Sequence, residues 1–356
     1  MDFTFSEDQF AFRDSMSRFL MTEAAPEMLR EVWETEAGRS PALWRKLAEQ
    51  GMTSLSVPEA EGGLGLADID WALLTQELGY YAIPDPVTDT ACVAAAVLAA
   101  LPDGHALRAT WLPRIAEGSA RVAVGHPVNT WVADAATADL LLLVDRGAAE
   151  TRVHAVPREQ VELQALRSLD GSRRLAHVNW KPQPATCIAE GRSAQALAAA
   201  MLDRAALCAA GQLVGLAQRM LDLSVDYVSQ RKQFGKAIGS FQAVKHHLAD
   251  VVTRIEFAKP VLYRAVLALH NGEPQRERHV SHAKLACTEA ALAAARKGIQ
   301  VHGAMGYTWE VDLQMFMKRA WALDGAWGDR AFHRQRLGAA LLEGDAALGP
   351  GASFTH

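Results

Sequence analysis

Cysteine is scarce in this chain, and its spacing excludes the structures that cysteines commonly build. The four residues lie far apart, without a C-x-x-C pair and mostly within apolar, alanine-rich segments: Cys92, Cys187, Cys208 and Cys287. Zinc sites and disulfide frameworks require closer, recurring cysteines. The sequence therefore predicts reduced, buried thiols and no metal site.

The chain also lacks an excess of positive charge and a long apolar run. Lysine and arginine number 36 against 41 aspartates and glutamates, and the two signs are mixed along the sequence. Nucleic acids and anionic membranes bind basic stripes, so neither is an expected partner. The start, "MDFTFSEDQFAFRDSMSRFL", has no basic n-region, and no run approaches the roughly 18 to 20 apolar residues that span a bilayer. These features predict a cytoplasmic protein.

Helical spacing of apolar residues dominates the first third of the 356-residue chain, from Ser6 to about Ala116. Ser6 precedes two acidic residues, which predicts the N-cap of the first helix. The glycine- and proline-rich stretch "SVPEAEGGLGLADID" predicts an irregular loop, after which Asp68 caps a helix that begins near Ile69.

The middle of the chain changes character. From Arg121 to Trp180, the short apolar runs "RVAVG", "LLLLV" and "LAHVNW" alternate with turn segments such as "DRGAAE", which predicts a small antiparallel sheet. From about Arg192, apolar residues return to helical spacing and predict a four-helix bundle. The predicted class is mainly α with a small β domain (α+β): a helical domain (1–118), a β domain (119–188), the bundle (189–345) and a tail (346–356).

One predicted inter-helix connection, "VSQRKQFGKAIGSFQAVKHHLAD", is unusually rich in cations, aromatics and amides. Arg231 lies at the end of a helix, where a cation complements the helix dipole, and Phe234 and Gly235 follow. A guanidinium beside an aromatic ring suits a pyrophosphate attached to a flat heterocycle. The alternative is a basic helix C-terminus followed by a turn.

A second candidate patch is "KGIQVHGAMGYTWE". Gln300 could hydrogen-bond an adenine or ribose edge, and Gly303 and Gly306 could let the backbone approach a ligand closely. The alternative is an ordinary glycine at the end of a helix.

Together and in order, these segments resemble successive motifs of the acyl-CoA dehydrogenase family, and the resemblance covers essentially the whole chain. It implies an N-terminal helical domain, a middle β-barrel or sheet domain and a C-terminal four-helix bundle, with FAD and acyl-CoA as ligands and an electron-transfer flavoprotein as electron acceptor. In the family, the R-x-x-F and Q-x-x-G-x-x-G motifs bind the adenine and pyrophosphate end of an FAD held mainly by the neighbouring subunit. The matching cofactor-binding residues are Arg231, Phe234, Gln242, Gln300, Gly303 and Gly306.

The resemblance fails at the catalytic base, which removes the α-proton of the thioester. Most members carry a glutamate in a Y-E-G-T motif, and here Gly328 stands in its place. Other members carry the base on the first bundle helix, where this chain has Ala205; Asp203 is rotated by about 200° to the other face. Asp329 is the remaining candidate base, and its alternative is an N-cap or a partner of Arg330 or Arg334.

The predicted β domain also departs from the family, because it is short and lacks the T-E-P-x-x-G-S-D-like loop that contacts the flavin ring; Thr130 and Trp131 could substitute. The chain thus lacks the usual base and flavin loop but keeps the residues that a subunit donates to its neighbour's FAD site. This combination resembles the short subunit of heteromeric actinobacterial enzymes of the steroid-side-chain type. It favours a heterotetramer in which this chain pairs with a full-length homologue. The alternatives are an active homotetramer that uses Asp329, and a flavin-free acyl-CoA-binding or interaction protein.

Overall fold

The computed structural model describes residues 4–146 and 150–342. They form two compact units, each assembled from separate stretches. The bundle unit contains the N-terminal residues through Met21, Ala72–Ala82 and the C-terminal residues from Ala206; the sheet unit contains Thr22–Trp71 and Ile83–Ala205. The domain boundaries given by the sequence stay a prediction, and the predicted tail (346–356) lies outside the described residues.

The structure confirms a mainly helical protein with a small β region. The α-helices are α1 (Glu7–Glu23), α2 (Pro26–Glu34), α3 (Pro41–Glu49), α4 (Trp71–Tyr80), α5 (Ala95–Ala99), α6 (Ala106–Ala116), α7 (Gly191–Gln230), α8 (Gln242–His270), α9 (Arg276–His302), α10 (Leu313–Asp324) and α11 (Arg330–Leu342). A π-helix (Thr88–Ala94) precedes α5, and a 3₁₀ turn (Gly303–Tyr307) follows α9. The strands are β1 (Val122–Gly125), β2 (Val132–Ala133), β3 (Leu140–Arg146), β4 (Thr151–Pro157), β5 (Glu162–Leu166), β6 (Leu175–Asn179), β7 (Cys187–Glu190), β8 (Lys232–Gln233) and β9 (Lys236–Ala237).

The start of α1 is a reciprocal capping box, which confirms Ser6 as its N-cap. The Gln9 N–H donates to Ser6 Oγ (3.2 Å), and the Ser6 N–H donates to Gln9 Oε1 (2.9 Å). Each side chain thereby satisfies a backbone donor that the first helical turn leaves unpaired.

The predicted cap at Asp68 is wrong. Both Asp68 oxygens accept from Arg204, at 2.8 and 3.0 Å, while the Ala67 N–H donates to Asp70 Oδ2 (2.9 Å). A bidentate guanidinium is a stronger partner for a carboxylate than a neutral backbone N–H. Asp68 therefore binds Arg204, which is distant in sequence, and does not cap the helix.

The β region also differs from the predicted single antiparallel sheet. It comprises a four-stranded sheet in the order β1-β3-β4-β7 and a three-stranded antiparallel sheet in the order β2-β6-β5. β1 and β3 pair in parallel, from Val122 opposite Leu140 to Gly125 opposite Leu143, because the chain visits the second sheet through β2 before returning. Both strands are buried along most of their length, as parallel strands usually are.

Glycines let α4 and α7 approach closely in the bundle unit. A Cβ at Gly79 would overlap the Gln212 carbonyl, and one at Gly215 would overlap the Gln76 carbonyl. Among the described helices, α7 is long and apolar enough to cross a membrane, but 78% of its apolar window is buried inside the protein. It is therefore a core helix by its packing, and its apolar character reflects burial.

The described cysteines are free, and three of them are buried. Cys187 differs from the prediction because it is only partly buried. It begins β7, an edge strand of the four-stranded sheet, so one side of its backbone has no neighbouring strand.

Candidate functional site

The residues after α7 form a tight β-hairpin that sequence reasoning missed. The Arg231 N–H donates to the Tyr227 carbonyl (2.9 Å), β8 pairs with β9, and the Ile238 N–H closes the hairpin on the Arg231 carbonyl (2.9 Å). Phe234 and Gly235 make the two-residue turn, both with positive φ (53° and 80°). This backbone conformation matches the twist of a hairpin but is unfavourable for phenylalanine.

Phe234 is displayed at the tip of this hairpin, with 91% of its surface exposed. A large aromatic residue normally avoids both positive φ and water, so the position points to a contact outside this chain. Below it, Lys236 lies over the Phe241 ring at 4.4 Å from the centroid, and Arg231 is exposed. The hairpin thus presents an aromatic face and a guanidinium to whatever binds there.

The end of α9 lies against the end of α7. The His302 and Tyr227 rings stack at 4.2 Å with an interplanar angle of 21°, and the Tyr227 hydroxyl donates to the His302 carbonyl (3.4 Å). Because Arg231 follows Tyr227 by one turn and Gly303 follows His302 directly, the structure brings the two motifs to the same end of the bundle unit.

The two glycines of the second motif differ in their surroundings. Gly303 has φ 64° and ψ −141°, and a Cβ there would meet no atom within 4 Å. Gly306 is buried, and its Cβ would lie 2.9 Å from the Ile299 Cα. Gly303 therefore leaves room for a ligand beside its backbone, whereas Gly306 lets its turn pack on α9.

Two exposed amides complete the candidate site. Gln300 lies in the last turn of α9, and Gln242 begins α8, where its Oε1 lies 3.2 Å from His246 Nε2. Nearby, Lys297 Nζ lies 2.9 Å from His247 Nδ1 and links the two helices. A cation, an exposed aromatic ring, two amides and an open glycine fit the adenine and pyrophosphate end of a dinucleotide such as FAD.

The position expected to hold the catalytic glutamate is closed. Gly328 has φ +95°, and a Cβ there would lie 2.8 Å from His333 Nε2 and 3.0 Å from the Phe332 Cε1. Any L side chain at this position is strained, whatever its chemistry. The segment therefore accommodates glycine at position 328 and no larger residue without strain.

A buried lysine and a buried histidine, both missed from the sequence, hold this segment. Lys284, 1% exposed, donates to the Leu323 and Asp324 carbonyls at 2.9 and 3.1 Å at the end of α10. His333 Nε2 donates to the Trp327 carbonyl (3.0 Å), and its Nδ1 lies 3.1 Å from Ser281 Oγ. The only sequence signal for Lys284 is its place in the otherwise apolar run "AKLACTEAALAAA".

Burial lowers the pKa of His333 to about 4, and the nearby Lys284 adds to the effect. A neutral ring can donate from Nε2 to the Trp327 carbonyl while Nδ1 accepts from the Ser281 hydroxyl. A neutral ring thus matches both hydrogen bonds that close the segment before α11.

The remaining candidate bases have other surroundings. Asp329 is exposed, and its Oδ1 accepts from the Phe332 N–H (2.8 Å), which is the N-cap arrangement given above as its alternative. Arg330 pairs with Asp324 (3.2 Å) and Arg334 with Glu289 (3.8 Å). The base role of Asp329 stays a prediction.

The other candidate positions lie in the sheet unit. Ala205 and Asp203 are both buried on α7. Thr130 and Trp131 are exposed between β1 and β2, with Trp131 42% exposed, and their substitution for the missing flavin loop stays a prediction. Within residues 4–146 and 150–342, no cluster of three or more histidines, cysteines or carboxylates could hold a metal ion.

Comparisons with known proteins identify the family. The family model for the acyl-CoA dehydrogenase N-terminal domain matches residues 6–119, and that for the C-terminal domain matches residues 195–342. Acyl-CoA dehydrogenase IpdE2 of Mycobacterium tuberculosis is 33% identical over 318 residues, which cover 88% of this chain and 91% of that protein. The chain therefore belongs to the acyl-CoA dehydrogenase family, whose members are flavoprotein oxidoreductases.

Solved structures agree with this fold. The ChsE4-ChsE5 complex from Mycobacterium tuberculosis matches with a TM-score of 0.86 and 23% identity, covering 96% of this chain and 99% of that chain. The Tcur3481-Tcur3483 steroid acyl-CoA dehydrogenase matches with a TM-score of 0.85 and 25% identity, again covering 96% and 99%. The arrangement of helical and β segments predicted from the resemblance is thus confirmed at the level of the fold.

Proposed function

We propose that this chain is a subunit of an FAD-dependent acyl-CoA dehydrogenase that introduces an α,β double bond into an acyl-CoA thioester. It completes the FAD site of a full-length partner and leaves the catalytic base to that partner. The partner is a full-length acyl-CoA dehydrogenase homologue, and the assembly is a heterotetramer. The observation that carries the proposal is the closed backbone at Gly328, combined with the open, exposed site at the end of α7.

The open site supplies binding groups rather than reactive ones. The Arg231 guanidinium would pair with pyrophosphate oxygens, the face of Phe234 would pack on the adenine, and the Gln300 and Gln242 amides would hydrogen-bond polar edges. Gly303 lets backbone and ligand approach. FAD would supply the acceptor for the hydride that leaves Cβ of the thioester, and this chain's residues would hold the adenine and pyrophosphate end of the cofactor.

The closed segment explains why the partner must supply the base. A base must reach the α-proton of the thioester, and a carboxylate at position 328 would meet Phe332 and His333. Asp329 is already engaged as the cap of α11 through the Phe332 N–H. This engagement argues against the homotetramer that uses Asp329, in which each chain would carry its own base.

The relatives support a heteromer with a bulky substrate. ChsE4-ChsE5 and Tcur3481-Tcur3483 are complexes of two named chains, and the second is described as a steroid enzyme. We extend both features to this chain: a steroid-side-chain type of thioester, an unlike partner, a cytoplasmic site of action and an electron-transfer flavoprotein that receives the electrons.

Replacement of Arg231 tests the donated site. In a complex with the full-length homologue, Arg231→Ala should raise the Kd for FAD about 10- to 100-fold, because a charge-assisted hydrogen bond contributes roughly 1.5 to 3 kcal/mol. Arg334→Ala, which removes an exposed guanidinium paired with Glu289 in the same unit, is the matched control. FAD titration of the apo complexes by flavin fluorescence measures both.

Equal FAD affinity in the Arg231→Ala and Arg334→Ala complexes would contradict the proposal. A complex that forms normally but binds no FAD, even with the wild-type chain, would favour the flavin-free acyl-CoA-binding protein instead.

A further inference from the structure

We propose that the stacked pair of Tyr227 and His302 is a positioning device for the FAD site, and this inference rests on the proposed function. The pair sets the spacing between the hairpin, which carries Arg231 and Phe234, and the end of α9, which carries Gln300 and Gly303. Both halves can then contact one ligand at the same time. Neither ring touches the ligand in this role; each acts through the residues that follow it.

The backbone connects each ring directly to its half of the site. Tyr227 accepts the Arg231 N–H at 2.9 Å, so the first residue of the hairpin is held to the tyrosine's own carbonyl. His302 immediately precedes Gly303, and its carbonyl accepts the Tyr227 hydroxyl (3.4 Å). A shift of either ring would therefore move the hairpin relative to the glycine turn.

Contacts between the preceding turns of α7 and α9 also hold the two stacked rings in place. His302 Nδ1 lies 2.8 Å from the Gly298 carbonyl, which can only accept, so the ring donates from Nδ1. A Cβ at Gly298 would lie 3.2 Å from Ser224 Oγ of α7. Two successive turns of α9 thus lie against two successive turns of α7, and the second contact is the stack.

The chemistry of the pair suits a spacer. His302 is 5% exposed, and burial lowers the pKa of its imidazole, which favours the neutral ring. Two nearly parallel rings at 4.2 Å fix both a distance and an orientation, which a single flexible hydrogen bond does not. The Tyr227 hydroxyl adds a longer hydrogen bond, so most of the positioning belongs to the ring.

The experiment separates positioning from general stability. Tyr227→Phe keeps the ring and Tyr227→Leu removes it. The control, Tyr80→Leu, removes another partly buried tyrosine of the bundle unit, whose ring lies under Arg219 and whose hydroxyl donates a hydrogen bond to Asp222. Each chain is co-purified with the full-length homologue. The Kd for FAD is measured by titration, the melting temperature by calorimetry, and exchange of the amides of residues 231–238 and 303–307 by mass spectrometry.

We expect Tyr227→Leu to raise the Kd for FAD at least tenfold and to speed amide exchange in both segments. Tyr227→Phe should stay within about threefold of wild type, and Tyr80→Leu should lower the melting temperature comparably while FAD affinity and exchange stay near wild type. Wild-type affinity in Tyr227→Leu, or an equal loss in Tyr80→Leu, would overturn the inference. If Arg231→Ala loses FAD while Tyr227→Leu keeps it, only the positioning role fails; if Arg231→Ala keeps FAD, the proposed function fails as well.

Discussion

Gly328 is the residue on which the proposed role of this chain depends most. Its positive φ and the neighbouring Phe332 and His333 rings exclude a side chain, so the proposed absence of a glutamate here matches the backbone geometry. Asp329, one position along, already accepts the Phe332 N–H at the start of α11.

Gly328→Glu should therefore destabilise the chain without creating activity. Strain at positive φ and overlap with Phe332 should lower the free energy of unfolding by roughly 2 to 4 kcal/mol. Gly325→Glu is the matched control, because Gly325 has φ −84° and an open Cβ direction, and it should change stability by less than about 0.5 kcal/mol. Urea unfolding of the isolated chains measures this difference.

A stable Gly328→Glu chain that oxidises acyl-CoA by itself would contradict this account of the segment.

At the scale of elements, the connection from α10 to α11 depends on two buried ionisable groups, Lys284 and His333. The lysine satisfies carbonyls at the end of α10, where a cation also complements the helix dipole. The histidine holds the Trp327 carbonyl. We therefore expect this connection to lose stability in acid.

The free energy of unfolding should fall as the pH drops from about 6.5 to about 4. The folded-state pKa of His333, about 4, lies below its ordinary value of 6.5, so the unfolded chain binds the proton first and gains stability over this range. His333 should lower the free energy of unfolding by at most about 3 kcal/mol. This loss should be complete near pH 4 and absent above pH 6.5. His333→Gln should flatten the dependence in urea titrations between these pH values; an unchanged slope would assign the acid sensitivity elsewhere.

Elements differed in how well the sequence predicted them. Ser6 and the first helix were predictable because the capping residues are local in sequence. The predicted cap at Asp68 failed because Arg204, which is distant in sequence, binds its carboxylate. The predicted single antiparallel sheet failed because tertiary contacts pair β1 with β3 in parallel. The hairpin at Phe234 was missed because its turn breaks the usual preference for asparagine or glycine at the first position. The order of the motifs predicted the residues of the candidate site. It did not predict that Tyr227 and His302 connect the two motifs.

At the scale of the whole molecule, the chain belongs to the acyl-CoA dehydrogenase family, and we propose that it offers a partner an FAD-binding face without a catalytic base. The closed segment at Gly328 supports the proposal that this chain needs a partner to supply the base. The exposed Phe234 supports the proposal that the partner needs this chain to bind FAD. The proposal therefore predicts a defined number of FAD molecules per pair of unlike chains.

The most direct test is the FAD content of the purified protein, alone and after co-expression with the full-length homologue. Flavin absorbance and native mass spectrometry give the number of FAD molecules per chain. The account predicts a colourless chain alone and one FAD per unlike pair in a heterotetramer. One FAD per chain from this protein by itself would contradict it and would return Asp329 to the front as the base of a homotetramer.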